Sequence, residues 1–358
     1  MIANPPDSLC ILRLSALGDV CHLLPVVRSL QAEWPDTRLT WIVGKLEAQL
    51  LAGVEGVEFI TFDKSAGWAA QRELRRQLRG RRFDVLLHMQ AAMRANLASL
   101  AVRAPLRVGF DRLRSRDAAW LFANRHIDYR RGEHVLESFF GFARALGVER
   151  RLLRWDIPIA AADLAFAAEL LGDAPTLLIN PCTSAKAKNP RGWIVERYAR
   201  VAEQAVEEFG LQVALSGGPA RAEREMAERI AAECRVPLLD LVGRTNLKQM
   251  LALLQRARAV LAPDTGPAHM ATAVGTPVIG LYMSTDPRRA GPYLSRRWTV
   301  DRYPDAIRRY FGKAVDEVPF GQRVRDPAAA ELISVEDVIE RLRALAAAGY
   351  PRGADRAD

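Results

Sequence analysis

The sequence has few cysteines and no long apolar run. Its four cysteines, Cys10, Cys21, Cys182 and Cys234, are scattered and form no Cys-x-x-Cys pair, which argues against a disulfide framework or a zinc site. Every apolar run is shorter than the roughly 20 residues that a membrane-spanning helix needs. The first residues lack the basic start and apolar centre of a signal peptide. We therefore expect a cytoplasmic protein with reduced thiols.

Histidine is also sparse. The five histidines stand alone, with no His-x-x-x-His or His-x-His pair and no neighbouring cysteine. A protein-built metal site needs several such ligands at close spacing. We therefore expect no metal site.

Lysine occurs at only six positions among 51 basic residues, so arginine carries nearly all of the positive charge. The net charge is +9 and the isoelectric point about 9.7. Arginine clusters lie in the first half, at 72–82, 112–116 and 130–131. Such clusters indicate either an anionic partner, such as a phosphorylated substrate or an acidic membrane surface, or solvated helix faces. No aromatic residues alternate with them as in a nucleic-acid motif, so no nucleic-acid partner is expected.

Short apolar runs alternate with amphipathic stretches through both halves of the chain. In the first half, runs such as Leu9–Leu14 and Val85–Met89 are separated by helical patterns such as Val20–Trp34. The second half repeats the alternation, with Thr176–Asn180 before the helical pattern Ile194–Phe209. Strands separated by helices predict βαβ units and parallel sheets. The predicted fold class is α/β, with two Rossmann-like, doubly wound parallel-sheet domains.

A chain of 358 residues is long enough for two such domains. We place the first at residues 1–165 and the second at 170–333. A C-terminal helix and tail follow at 334–358. Within that segment, Ser334 is the predicted N-cap of a helix over Val335–Ala347.

One turn that could bind a ligand or take part in catalysis lies near the start of the chain, at Ser15–Val20. Gly18 permits a tight turn or a close backbone approach, and Asp19 stands at the start of the helical pattern. Asp19 is interpreted either as a helix N-cap or as a carboxylate placed to accept a proton. The turn lacks the G-x-G-x-x-G spacing of a dinucleotide site.

The second such turn is Pro263-Asp264-Thr265-Gly266-Pro267-Ala268-His269. It follows a buried apolar run and begins a short helix, where free N–H groups and the helix dipole favour an anion. The alternative is a capped helix with a packed histidine. Because each half of the chain has one such turn, we expect a ligand cleft between two domains.

Two weaker turns also follow predicted strands in the second half. Around Thr183 and Ser184, hydroxyl groups with nearby lysines suit a diphosphate, although a solvated lysine loop fits equally well. At Gly217-Gly218, the backbone can approach a nucleoside closely or simply turn the chain.

Taken together, these motifs resemble the bacterial heptosyltransferase family of lipopolysaccharide core synthesis. The resemblance runs from Ile11 to about Leu345, and its most specific pieces are Arg13–Val20 and Pro263–His269 in that order. It implies the GT-B fold, with an N-terminal domain for the acceptor and a C-terminal domain for the nucleotide-sugar. It also implies transfer of heptose from ADP-heptose to a lipopolysaccharide inner-core acceptor, with inversion of the anomeric centre.

The resemblance assigns roles to particular residues. It makes Asp19 the general base, while the donor contacts fall on Thr183, Ser184, Lys188, Gly217, Gly218, Asp264, Thr265, Gly266 and His269. Arg94, Arg112, Arg114 and Arg116 become candidates to bind an anionic glycolipid acceptor. A basic donor loop can serve in place of a bound metal, so we expect no obligatory cofactor. Contact with the inner face of the inner membrane follows from a lipid-linked acceptor.

The sequence departs from the family pattern at two places. The family often has a lysine shortly before Trp-Pro or Trp-Ser, whereas Lys188 runs into Asn-Pro-Arg-Gly before Trp193, and Lys186 is a rival. Some members hold the ribose with a glutamate after the glycine pair, whereas Pro219 stands there and Glu223 is the substitute. Two alternatives are a nucleotide-sugar epimerase-like enzyme on the same architecture and a non-catalytic carbohydrate- or nucleic-acid-binding module.

Overall fold

The structure is a computed structural model that describes residues 4–182 and 191–353. Contacts within the chain divide it into two compact units, Met1–Pro158 and Ile159–Asp358. Each unit is built on its own six-stranded parallel sheet. The predicted α/β class and its parallel sheets are therefore confirmed.

The first unit alternates strands and helices along the chain. Its elements are β1 (Ser8–Leu12), α1 (Leu17–Glu33), β2 (Arg38–Gly44), α2 (Lys45–Leu51), β3 (Val57–Phe62), α3 (Gly67–Gln77), β4 (Val85–His88), α4 (Met93–Ser99), β5 (Leu106–Gly109), β6 (Arg125–His126) and α5 (Val135–Leu146). The strand order is β3-β2-β1-β4-β5-β6.

The second unit has the same alternation. Its elements are α6 (Ala161–Leu171), β7 (Thr176–Ile179), α7 (Val195–Phe209), β8 (Gln212–Leu215), α8 (Arg221–Glu233), β9 (Leu239–Asp240), α9 (Leu247–Arg256), β10 (Ala259–Pro263), α10 (Gly266–Ala273), β11 (Val278–Tyr282), α11 (Pro287–Ala290), β12 (Val300–Asp301), α12 (Tyr303–Phe311) and α13 (Val335–Ala347). The strand order is β12-β11-β10-β7-β8-β9.

The central strands read as continuous apolar runs because helices cover both faces of each sheet. In the second unit, alternate strand residues such as Ile179 and Leu281 pack with Tyr198 of α7 and Leu342 of α13. In the first unit, Leu12 and Phe62 pack with α3 and α4 on one face. Each unit therefore buries its own apolar core.

The C-terminal helix α13 is part of the second core. Ser334 caps it as predicted, since the Asp337 N–H donates to Ser334 Oγ at 3.1 Å and the Ser334 N–H donates to Asp337 Oδ2 at 2.8 Å.

The division between the units falls before α6, a helix that contains the predicted boundary at residue 165.

Helix α1 begins earlier than predicted. It starts at Leu17 rather than Val20, and Ala16 is its N-cap. Asp19 is therefore not the N-cap but the third residue of the helix. Its carboxylate accepts a hydrogen bond from the Ala16 N–H at 3.0 Å, as the third residue of a helix does in a capping box.

Candidate functional site

The strand order puts one site at a defined edge of the first sheet. In this sheet β1 lies between β2 and β4, and the chain changes winding direction between β1 and β4. Ligands of doubly wound folds bind outside the carboxyl ends of the strands at such a switch point. The segment after β1 carries Asp19, and the segment after β4 carries Gln90 and Arg94.

The carboxylate of Asp19 is held through one oxygen. Arg13 forms an ion pair with Oδ2, and the Ala16 N–H donates to the same atom. Within the described residues Oδ1 has no hydrogen-bond partner, and the side chain is 28% exposed. Asp19 is thus oriented by two donors through Oδ2, and its side chain is partly exposed.

Arg13, which the sequence analysis gave no role, fixes this arrangement. Its guanidinium donates to the Met89 carbonyl after β4 and lies 5.2 Å above the centre of the Phe139 ring. Gln90 also links the segment after β4 to the segment after β1: its side chain accepts from the Leu14 N–H at 2.7 Å and donates to Ser15 Oγ at 3.2 Å. The Asp19 turn is therefore anchored to the carboxyl end of β4.

The turn also packs tightly against β2. A Cβ atom on Gly44 would lie 2.3 Å from both the Leu14 carbonyl oxygen and a Glu47 carboxylate oxygen. Only glycine allows the strand to pass so close. Lys64 closes this side, donating to Glu47 at 2.8 Å and to the Leu14 carbonyl at 3.3 Å.

The four candidate acceptor arginines differ in environment. Arg94, in the first turn of α4, and Arg116 are exposed and have no side-chain partner among the described residues. Arg112 is exposed and lies 4.8 Å from the centre of the Trp120 ring.

Arg114 is half-buried and fully engaged within the protein. It forms ion pairs with Asp111 and Glu133, and donates to Ser138 Oγ at 2.9 Å and to the Asp128 carbonyl. It holds the loop that carries Arg112 and Arg116. Its contact with an acceptor stays a prediction.

The second sheet has the same kind of edge. In it β7 lies between β10 and β8, so the switch point is between β7 and β10. Asn180 follows β7, and Asp264, Thr265, Gly266 and His269 follow β10. Thr265 is the N-cap of α10, with a proline in the first turn of that helix.

Asp264 interacts with two basic side chains at this edge. His269 Nε2 lies 3.7 Å from Asp264 Oδ1, and Arg191 donates to the Asp264 carbonyl at 2.8 Å and approaches Oδ2 at 3.4 Å. Burial alone raises the pKa of Asp264, but hydrogen bonding and charge from His269, with Arg191 and Thr285, outweigh it and hold the pKa below its usual range. Asp264 is therefore an anion at neutral pH, surrounded by donors.

Two buried polar atoms at this edge lack partners among the described residues. These are Thr265 Oγ1 and Asn180 Oδ1. Buried polar groups are normally hydrogen-bonded, so such atoms need an explanation. Both atoms lie next to the switch point between β7 and β10.

The glycine pair after β8 is packed against a glutamate. The Gly218 N–H donates to Glu223 Oε2 at 2.6 Å. Added Cβ atoms would lie 3.0 Å from Glu223 at Gly217 and 3.1 Å at Gly218. Glu223 thus reaches the turn although Pro219 follows the pair directly.

The comparisons with known proteins decide the family. The model of glycosyltransferase family 9 (heptosyltransferase) matches residues 71–305. A lipopolysaccharide core heptosyltransferase, OpsX of Haemophilus influenzae, is 40% identical over 346 residues, which are 96% of this chain and 99% of that protein.

The chain belongs to glycosyltransferase family 9. It is therefore an enzyme that transfers a sugar, which favours this function over the epimerase-like and non-catalytic alternatives.

Solved structures confirm the GT-B fold class of this glycosyltransferase. The glycosyl transferase family 9 structure from Veillonella parvula matches with a TM-score of 0.76 at 20% identity, covering 95% of this chain and 97% of that one. The structure of Escherichia coli ADP-heptose lps heptosyltransferase II matches with a TM-score of 0.70 at 20% identity, covering 96% of this chain and 99% of that one.

Part of the predicted donor site of this glycosyltransferase falls on residues 183–188. Thr183, Ser184, Lys186 and Lys188 lie outside the described residues. Within the described ranges no group of three or more His, Cys, Asp and Glu side chains is arranged to hold a metal ion, and no described helix is long and apolar enough to cross a bilayer.

Sequence reasoning missed three residues of these edges, Arg13, Arg191 and Thr285. Arg191 left a signal in the sequence, because it stands two residues before Trp193, in the segment where the family pattern has a lysine. Arg13 stands in the Arg13–Val20 motif close to its partner Asp19, but its contact with Met89 joins distant positions, and Thr285 is likewise far in sequence from Asp264.

Proposed function

We propose that this glycosyltransferase moves a heptose from ADP-heptose to an anionic lipopolysaccharide inner-core acceptor, with inversion at the anomeric carbon. The observation that carries the mechanism is the carboxylate of Asp19 at a sheet switch point, held through Oδ2, with Oδ1 unpaired among the described residues and the side chain partly exposed. The names of the similar proteins, a lipopolysaccharide core heptosyltransferase and an ADP-heptose lps heptosyltransferase, support the substrates.

On the acceptor side, Asp19 acts as general base. Its Oδ1 takes the proton of the acceptor hydroxyl as the hydroxyl oxygen forms a bond to the anomeric carbon. The bond between that carbon and the phosphate oxygen breaks on the opposite face, and ADP leaves with the electron pair. Positioned proton removal of this kind contributes roughly 10²–10⁴-fold to a rate.

On the donor side, the switch point between β7 and β10 holds the leaving diphosphate. The carboxylate of Asp264 repels phosphate, so its role is to orient His269 and Arg191. The phosphate oxygens accept from Thr265 Oγ1 and from the free N–H groups of Thr265 and Gly266 at the start of α10. Donors aimed at a charge that develops in the transition state are worth about 2.7–4 kcal/mol each.

Arg191 is the cation that we propose for the diphosphate, with Thr183, Ser184 and Lys188 as further contacts. The Arg191 side chain is 27% exposed, so its guanidinium can donate to a phosphate while it remains hydrogen-bonded to Asp264. Gly217 and Gly218 let the nucleoside approach the backbone, and the Glu223 carboxylate is placed to accept from the ribose hydroxyls.

Arg94, Arg112 and Arg116 bind the anionic groups of the acceptor, and Arg114 holds the loop that carries two of them. We propose that the enzyme works in the cytoplasm at the inner face of the inner membrane, and that it needs no bound metal.

The proposal is tested with purified enzyme and a panel of nucleotides. Calorimetry is expected to give tighter binding of ADP than of UDP or GDP. ADP release from ADP-heptose is expected to require an inner-core acceptor carrying the free hydroxyl. Preference for UDP, or release of a rearranged sugar without acceptor, contradicts the proposal.

A further inference from the structure

The arginine cluster around residues 72–82 has no place in the site described above. Part of it lies on the exposed side of α3, next to a large aromatic residue. Trp68 is 72% exposed, and Arg72 and Arg75 are also exposed. The spacing of these residues, i, i+4 and i+7, puts them on one stripe of the helix. The buried residues of α3 are Ala70, Gln71 and Leu74.

The start of α2 adds exposed groups at the same edge of the sheet. Strands β2 and β3 are parallel neighbours, with Gly44 paired to Phe62 at their ends, and Lys64 in the turn before α3 donates to Glu47 in the first turn of α2 at 2.8 Å. Leu46, the second residue of α2, is 48% exposed, and Lys45 beside it is exposed as well. Hydrogen bonds from Ser65, together with the charge of Lys45, hold the pKa of Asp63 in the turn before α3 below its usual range.

We call Lys45, Leu46, Trp68, Arg72 and Arg75 the α2/α3 patch. Within the described residues, Arg72 and Arg75 have no side-chain partner. The neighbouring Glu73 is neutralised by Arg76 at 2.7 Å, which leaves Asp63 as the opposing charge at the patch. The patch therefore combines two exposed apolar side chains with an excess of positive charge.

We propose that the α2/α3 patch docks the enzyme on the surface of an anionic phospholipid bilayer. Trp68 and Leu46 enter the headgroup region, and Lys45, Arg72 and Arg75 lie among the lipid phosphates. Aromatic residues with one wet side are suited to this interface, and basic residues beside them are attracted by anionic lipid. Charge complementarity selects a bilayer over a neutral apolar partner.

The location of the patch agrees with a membrane-borne substrate. Helices α2 and α3 begin at the carboxyl edge of the first sheet, the edge that carries Asp19. Lys64, in the turn before α3, donates to the carbonyl of Leu14 in the turn before α1. This inference rests on the proposed function, because a lipid-linked acceptor gives the docking its purpose.

The test is co-sedimentation of the full chain with lipid vesicles, without donor or acceptor. We expect binding to vesicles of mixed phosphatidylglycerol and phosphatidylcholine, little binding to phosphatidylcholine alone, and weakening by added salt. Each basic residue near an anionic surface contributes about fivefold to the partition coefficient, so the double substitution Arg72→Gln and Arg75→Gln should lower it about 25-fold. Trp68→Ala should lower it roughly tenfold.

Matched controls remove the same groups elsewhere. The double substitution Arg229→Gln and Arg341→Gln removes the same charge from exposed positions of the second unit, and Phe311→Ala removes an exposed aromatic ring there. Both should bind vesicles like the parent. Equal loss in controls and patch variants overturns the proposal, and so does equal binding of parent and patch variants. Tighter binding to polyuridylate than to vesicles also overturns it, in favour of nucleic acid.

Transfer to a water-soluble acceptor fragment separates this inference from the proposed function. The patch variants should keep the parent turnover on the fragment, because the patch contributes no group to the reaction. If the parent binds vesicles through the patch but transfers no sugar, the proposed function fails and the docking surface stands.

Discussion

At the scale of single residues, the site depends on arginines that hold carboxylates in place. Arg13 orients Asp19 in the first unit, and Arg191 engages Asp264 in the second. Each guanidinium provides several donors in a rigid plane, so it can hold a carboxylate and still present a donor to another group. A lysine at either position would offer a compact charge whose three donors are not fixed in one plane.

Replacing Arg191 with glutamine should weaken donor binding. The substitution removes the cation proposed for the diphosphate, and hydrogen bonds to charged groups are worth about 1.5–3 kcal/mol. We expect the Kd for ADP to rise about tenfold to a hundredfold in calorimetry, with partial recovery in Arg191→Lys. Arg200→Gln, which removes an exposed arginine from α7, should leave the Kd unchanged. An unchanged Kd in Arg191→Gln would assign the diphosphate to other groups.

The sequence carried more information about Asp19 and Asp264 than about the residues that position them. Both acids stand in turns that follow an apolar strand, and that pattern is local. The contacts of Arg13 with Met89 and of Arg191 with Asp264 join positions far apart in the chain. Such partners follow only from the packing of strands, which one sequence does not specify.

At the scale of helices and strands, the alternation of apolar runs predicted both sheets because the central strands are buried on two faces. The predicted start of α1 was wrong for a physical reason. The N-cap of this helix is Ala16, which has no capping side chain, and Asp19 accepts the hydrogen bond of the Ala16 N–H from inside the helix. The usual signal for a helix start, a polar residue at the N-cap, is missing there.

The end of β4 makes the stability of the first unit depend on pH. His88 is buried, with Nε2 3.1 Å from Asn96 Oδ1, and Asn96 donates to the Asp117 carbonyl of the arginine-bearing loop at 2.8 Å. Burial, aided by the charge of Arg107, lowers the pKa of His88 to about 4. In the unfolded chain a histidine takes up its proton near pH 6.5.

Because the folded state binds this proton more weakly, stability is complete above about pH 6.5 and falls as the pH drops toward 4. The loss amounts to about 3 kcal/mol once both states are protonated. We expect urea unfolding at pH 7 and pH 5 to show this decline, and His88→Gln to reduce the difference. His126→Gln, at an exposed position on β6, should keep the parent difference. A parent stability that does not fall over this range contradicts the assignment.

At the scale of the whole molecule, each unit has its own parallel sheet, its own core and one switch point with charged side chains. The family resemblance predicted the class of reaction. Its two motifs, Arg13–Val20 and Pro263–His269, lie at the carboxyl edges of the two sheets. The sequence left the donor cation ambiguous between Lys186 and Lys188, since charge alone does not say which side chain reaches the diphosphate. We propose a division of labour, with proton removal in the first unit and donor binding in the second.

The substitution Asp19→Asn tests this division most directly. It keeps the shape of the side chain and removes the proposed proton acceptor, while the proposed donor-binding groups lie in the other unit. Single-turnover transfer from ADP-heptose to an inner-core acceptor should slow by roughly 10²–10⁴-fold, with the Kd for ADP unchanged within about twofold. Asp63→Asn, at the carboxyl end of β3 in the same sheet, should transfer like the parent. Near-parental transfer by Asp19→Asn, or a matching loss of ADP binding, would contradict the account.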